Sequence, residues 1–117
     1  MPAPVGPYTP IVRAGDWLIC SGQLGMREGA LVDGGVQAQA RQAIANLAAL
    51  LEGEGASLDQ VAKTTVFLAH ISDFALVNEV YVECFGDHRP ARSAFAVAAL
   101  PMGGLVEIEA WAFAPPR

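Results

Sequence analysis

The sequence is poor in cations, thiols, histidines and long apolar runs, and each shortage removes a class of function. Lys63 is the only lysine, and Arg13, Arg27, Arg41, Arg89, Arg92 and Arg117 are scattered along a chain of net charge -5. A protein that displaces counterions from phosphates needs a basic stripe, so no nucleic-acid partner is expected. The two cysteines, Cys20 and Cys84, lie far apart, with no C-x-x-C and no histidine at ligand spacing, which leaves neither a disulfide framework nor a zinc motif. His70 follows a strand pattern and His88 lies in a loop pattern, neither with metal-ligand spacing, so no metal is expected at either. No apolar run approaches the length of a membrane span, so no membrane partner is expected. The first residues carry prolines and no apolar core of an export signal. The thiols are therefore expected free, in a reducing cytoplasmic setting.

What is present is apolar surface to hide. Hydrophobic residues make up 53% of the 117 and charged residues 16%. The length suits one domain, residues 1–117, with a core of its own. The apolar excess has two readings: a buried subunit interface, which resembles a core cut in half, or an alanine-rich chain whose count is inflated by a small side chain.

The patterning predicts a β-β-α-β-α-β-β order. Val5 to Pro10 is a turn-rich lead-in. Ile11–Val12 and Trp17–Ser21, joined by Arg13-Ala14-Gly15-Asp16, read as a hairpin, and a second short hairpin has Arg27-Glu28-Gly29 at its tip. From Val36 to Glu52 the residues Val36, Ala40, Ala43, Ile44, Leu47, Leu50 and Leu51 form one helical stripe, with Gln37, Arg41, Gln42 and Asn46 on other faces. Ala62 to Ala69 is β-branched and aromatic, as a strand should be. A second helix, opened by Ser72 or Asp73 and ended by Gly86, buries Phe74, Val77, Tyr81, Cys84 and Phe85. Asp87 to Ala91 reads as a loop, Ser93 to Leu100 as a strand and Leu105 to Phe113 as the last strand.

That last strand alternates. Val106, Ile108, Ala110 and Ala112 form a wholly apolar face, which must meet the helices. Leu105, Glu107, Glu109, Trp111 and Phe113 form the other. Water would not require those aromatics, and a dry core would not tolerate those carboxylates; a subunit interface with a polar pocket satisfies both. The expected class is α+β, a sheet with two helices on one face.

A series of short motifs runs in order from Pro4 to Phe113: Gly6-Pro7-Tyr8, Ser21-Gly22-Gln23, Gln39 to Ala43 with Asn46-Leu47, and Val61 to Leu68. It continues through Asp73-Phe74 with Val77 to Tyr81, then Pro90-Ala91-Arg92-Ser93, Leu100-Pro101 and Val106 to Ala110. In these motifs the chain resembles the Rid family of small enamine/imine deaminases, also labelled endoribonuclease L-PSP. The resemblance implies a chorismate-mutase-like fold of the bacillus type, with a mixed sheet. It also implies a homotrimer with clefts between subunits, and hydrolysis of 2-imino and 2-enamino acids to 2-oxo acids and ammonia without metal or cofactor.

Within that resemblance, Arg92 is the first candidate, because a guanidinium fork can hold the carboxylate of an imino acid. Glu107 is the second: a carboxylate desolvated on an apolar-rich face gains basicity toward water. Tyr8 either supports substrate or water through its hydroxyl, or packs the terminal arm onto the sheet. Gly22 either offers a backbone N–H or is a turn glycine. Ser21 and Asn78 match positions near the family's site, and Asn78 reads equally as a helix-surface residue. Ala94 stands where many members carry cysteine; imine hydrolysis by direct attack of water needs no thiol nucleophile, so the position is expected to act through its backbone. Two other classes stay open: a trimer that binds small carboxylates without turnover, and a ribonuclease, which the acidity and the lack of paired histidines oppose.

Overall fold

The computed structural model describes residues 6–117; Pro4 and Val5, where the resemblance and the lead-in begin, lie outside them. Seven strands and two α-helices follow in the order β1 (Ile11–Ala14), β2 (Trp17–Leu24), β3 (Met26–Arg27), β4 (Ala30–Leu31), α1 (Gly35–Glu52), β5 (Val61–Leu68), α2 (Phe74–Phe85), β6 (Ala91–Ala96) and β7 (Val106–Phe113). Five of the strands make one mixed sheet in the order β1-β2-β7-β5-β6, and β3 and β4 make a separate ribbon. Only β5 and β6 run parallel, because α2 carries the chain back between them. The α+β class, with its mixed sheet and two helices, is thus as expected.

The core lies between one sheet face and the helices. Leu18 on β2, Val66 and Leu68 on β5, and Val106, Ile108, Ala110 and Ala112 on β7 are buried against Ile44, Leu47 and Leu51 of α1 and Val77 and Val80 of α2. The apolar face of β7 therefore meets the helices, as its alternation predicted. Glu28 and Gly29, the tip of the small ribbon, both have positive φ, the backbone that a two-residue hairpin turn requires.

Three local readings are corrected. Strand β6 begins at Ala91 and ends at Ala96, rather than running from Ser93 to Leu100. Among the described residues its only strand partner is β5, whose ladder is exhausted where Leu68 pairs with Ala96, and the Val97 N–H makes the closing bond to the Leu68 carbonyl. Asn46 is buried, not on an outer face of α1. Its side-chain amide donates to the carbonyls of Leu24 at 3.2 Å and Met26 at 3.0 Å, holding the end of β2 on the helix. Phe74, expected inside, is exposed at the start of α2.

Candidate active site

Two clusters hold the predicted site residues. The first is built on β6 and α2. Arg92 lies inside the edge strand β6, opposite the buried Thr64 of β5. It therefore points to the helix-covered face. There Phe74, Asn78 and Tyr81 share one side of α2, at i, i+4 and i+7. The Arg92 Nη1 donates to Asn78 Oδ1 at 2.8 Å. Its guanidinium carbon lies 4.9 Å from the Tyr81 ring centroid and 5.4 Å from that of Phe74, within cation–π range. The Tyr81 hydroxyl bonds the Thr64 hydroxyl at 2.6 Å. Burial pushes the Tyr81 phenol up, against the lowering effects of that bond and of Arg92. Among the described residues the one ion pair is Arg41–Glu83, so the Arg92 charge meets no carboxylate there. Ala94, two residues on, pairs with Val66 and packs against the core.

The second cluster lies on the open face. Glu107 of β7 is half-buried and pairs with Phe67 on β5. Burial, and secondarily the charge of Glu109, pushes its carboxyl above the usual range, as a carboxylate partly withdrawn from water should behave. Strand β2 shifts register between Cys20 and Gln23, opposite this part of β7. Gly22 lies within that irregularity, and a Cβ there would come within 2.8 Å of Glu107 Oε2. Glycine is what lets the carboxylate lie against the backbone. Ser21 is committed to the arm: its hydroxyl donates to the Thr9 carbonyl at 2.7 Å and its N–H to the Pro10 carbonyl at 2.8 Å. Tyr8, at the end of that arm, is exposed.

Ladder partners across a sheet share a face. Arg92, Thr64 and Ala110 are in line on the helix side, whereas Phe95, Phe67 and Glu107 are in line on the open side. Arg92 and Glu107 thus point away from each other within one chain. A cleft of about 510 Å³ between Arg13, Glu54, Gln60 and the C-terminal Pro115 to Arg117 includes none of the predicted site residues.

Sequence reading missed Thr64, Phe74 and Tyr81 as neighbours of Arg92. The i, i+4, i+7 spacing of Phe74, Asn78 and Tyr81 was the available signal, and it was absorbed into the helix's buried stripe. Burial pushes the Cys20 thiol up to about 11 and raises Cys84 as well, which disfavours the reactive thiolate.

Known proteins share this architecture. The family described as Endoribonuclease L-PSP matches residues 1–114. A Bos taurus protein named 2-iminobutanoate/2-iminopropanoate deaminase is 48% identical over 117 residues, covering 98% of this chain and 85% of the relative. The crystal structure of RidA from the Antarctic bacterium Psychrobacter sp. PAMC 21119 superposes with a TM-score of 0.91 at 45% identity, covering 96% of this chain and 92% of that one. That of E. coli TdcF with bound serine gives a TM-score of 0.90 at 38% identity, covering 96% and 91%.

Proposed function

Because the chain belongs to the endoribonuclease L-PSP family, we propose that it hydrolyses 2-imino acids, 2-iminobutanoate and 2-iminopropanoate among them, to 2-oxo acids and ammonia. The observation that carries this reading is a pair of complementary groups: a guanidinium without a carboxylate partner among the described residues, and a partly desolvated carboxylate on an apolar-rich face. Arg92 holds the substrate carboxylate through paired N–H donors. Glu107 takes a proton from water as its oxygen bonds to the imine carbon and the C=N π electrons move to nitrogen. Glu107 returns that proton to the nitrogen of the resulting carbinolamine, the C–N bond breaks as the hydroxyl proton leaves to solvent, and ammonia departs from the new 2-oxo acid. An enamino acid enters the same path after protonation at carbon. Tyr8 supports the water or the substrate, Gly22 and Ala94 line the site through backbone groups, and Ser21 and Asn78 act by fixing the arm and Arg92.

The two clusters meet only if the β6 edge of one subunit abuts the open face of the next. A closed ring of three such contacts accounts for both halves and for the exposed aromatics Phe95, Trp111 and Phe113. Among the described residues no helix is long and apolar enough to cross a membrane, and the net charge of -5 disfavours RNA as a substrate.

The test is the rate of 2-oxo acid formation from freshly generated 2-aminoacrylate or 2-iminobutanoate, with wild type, Arg92→Ala and Glu107→Ala side by side. Acceleration by wild type that collapses in both variants is the expected result. A folded trimer that binds serine or 2-oxobutanoate but accelerates nothing would instead make it a binding protein, the reading favoured by the bound serine of TdcF.

A further inference from the structure

An arginine that receives a substrate carboxylate faces a conflict. Its charge must be held in place, yet its N–H edge must stay free, and the usual partner, an acid, would occupy that edge. In this chain the charge is held in another way. Phe74 and Tyr81 lie within cation–π range of the Arg92 guanidinium, at 5.4 and 4.9 Å. Asn78 engages one nitrogen through a neutral acceptor. Aromatic rings attract a guanidinium through their π faces and take none of its N–H donors. Tyr81 is itself fixed from behind by its hydroxyl bond to Thr64, which is fully buried. Phe74 is 38% exposed, a high figure for a phenylalanine that opens a helix over the sheet edge. The core gains little from it, whereas Arg92 does.

We propose that Phe74 and Tyr81 are positioning residues for Arg92, holding its guanidinium by cation–π contact so that its free N–H donors face an incoming carboxylate. This rests on the reading of Arg92 as the substrate's carboxylate receptor. The rings would act on substrate binding rather than on the chemical step. Their loss should therefore raise KM and leave kcat nearly unchanged.

Phe74 is the better probe, because its exposure lets it be replaced without opening the core. Phe74→Leu should raise KM for 2-iminobutanoate by about three- to thirty-fold, the range that a cation–π contact spans, with kcat within about two-fold of wild type. Phe74→Tyr, which keeps a ring, should restore KM. Tyr81→Phe should likewise keep KM near wild type, and Tyr81→Leu should raise it. The dissociation constant of the product 2-oxobutanoate, titrated calorimetrically, should follow the same order, and it reads the Arg92 grip without turnover. If Arg92→Ala abolishes binding of 2-oxobutanoate while Phe74→Leu and folded Tyr81→Leu bind it as wild type does, the positioning role is overturned and the carboxylate reading stands. If Arg92→Ala itself binds and turns over normally, that reading fails first, and the positioning role with it.

Discussion

Glu107 is placed at a cost to the fold. Its carboxyl is raised by burial and by Glu109, so the native state holds its proton more tightly than the unfolded chain does. Below the ordinary carboxylate range both states are protonated and the group costs nothing. As pH rises through the raised native value, the unfolded chain is already ionised and the folded state bears the penalty. Glu107→Gln should therefore melt above wild type at neutral pH and level with it in acid, while losing turnover. Thermal unfolding at a series of pH values checks the first part; a variant that melts below wild type at neutral pH would count against the burial argument. Gly22 gives the complementary prediction. Its φ does not require glycine, but an added Cβ would displace the Glu107 carboxylate. Gly22→Ala should melt close to wild type and lose about ten- to a hundred-fold in kcat, the scale of an ångström's misplacement. At this scale the alternation of β7 exposed Glu107 in the sequence. Thr64, Phe74 and Tyr81 stayed hidden, because an aromatic that serves a cation and one that serves the core share the same helical spacing.

At the scale of elements, periodicity carried the two helices and β7, where one face is buried along its whole length. It failed at β6, an edge strand with one neighbour. Pairing, not composition, decides where such a strand ends, and the apolar run from Val97 to Leu100 continued past the last rung. It failed also at Asn46, whose polarity suggested water. The end of β2 and the start of β3 leave carbonyls at Leu24 and Met26 that need donors, and Asn46 supplies both while accepting from Gln42 at 2.9 Å. Gln39 does the same for the entry to β7, accepting the Leu105 N–H at 2.9 Å. These buried amides tie α1 to the strand ends that flank Glu107. Asn46→Ala strips both carbonyls of their donor, and at about 1–3 kcal/mol for a buried polar group left unpaired it should lower stability by about 2 kcal/mol or more. Urea unfolding with an unchanged m-value and a lower midpoint is the expected record. A loss below about 0.5 kcal/mol would mean that water replaces the amide without penalty.

At the scale of the whole molecule, the two candidate groups, Arg92 and Glu107, face opposite sides of one sheet. The mixed face of β7 was legible in the sequence, and in the single chain it is the half-buried to exposed face of the strand. The placement of Arg92 was not legible, since the side to which it points depends on the parallel register between β5 and β6, a contact that no local pattern encodes. If each site takes Arg92 from one subunit and Glu107 from its neighbour, two dead variants should rescue each other. Arg92→Ala chains keep a working Glu107 half, and Glu107→Ala chains keep a working Arg92 half. Unfolded together in equal amounts and refolded into mixed rings, they should recover about one quarter of the wild-type rate, since a head-to-tail contact pairs the two intact halves at about one boundary in four. Refolded apart, each should stay inactive. A site built within one chain would give no recovery, because every chain would lack one group. Repeating the mixture with Trp111→Glu in both chains separates assembly from chemistry. That substitution sets a charge in the exposed aromatic face, 42% exposed at Trp111 in the single chain, where an interface would have to bury it. Light scattering should then report monomers, and the rescue should vanish with the ring, although neither Arg92 nor Glu107 has been touched.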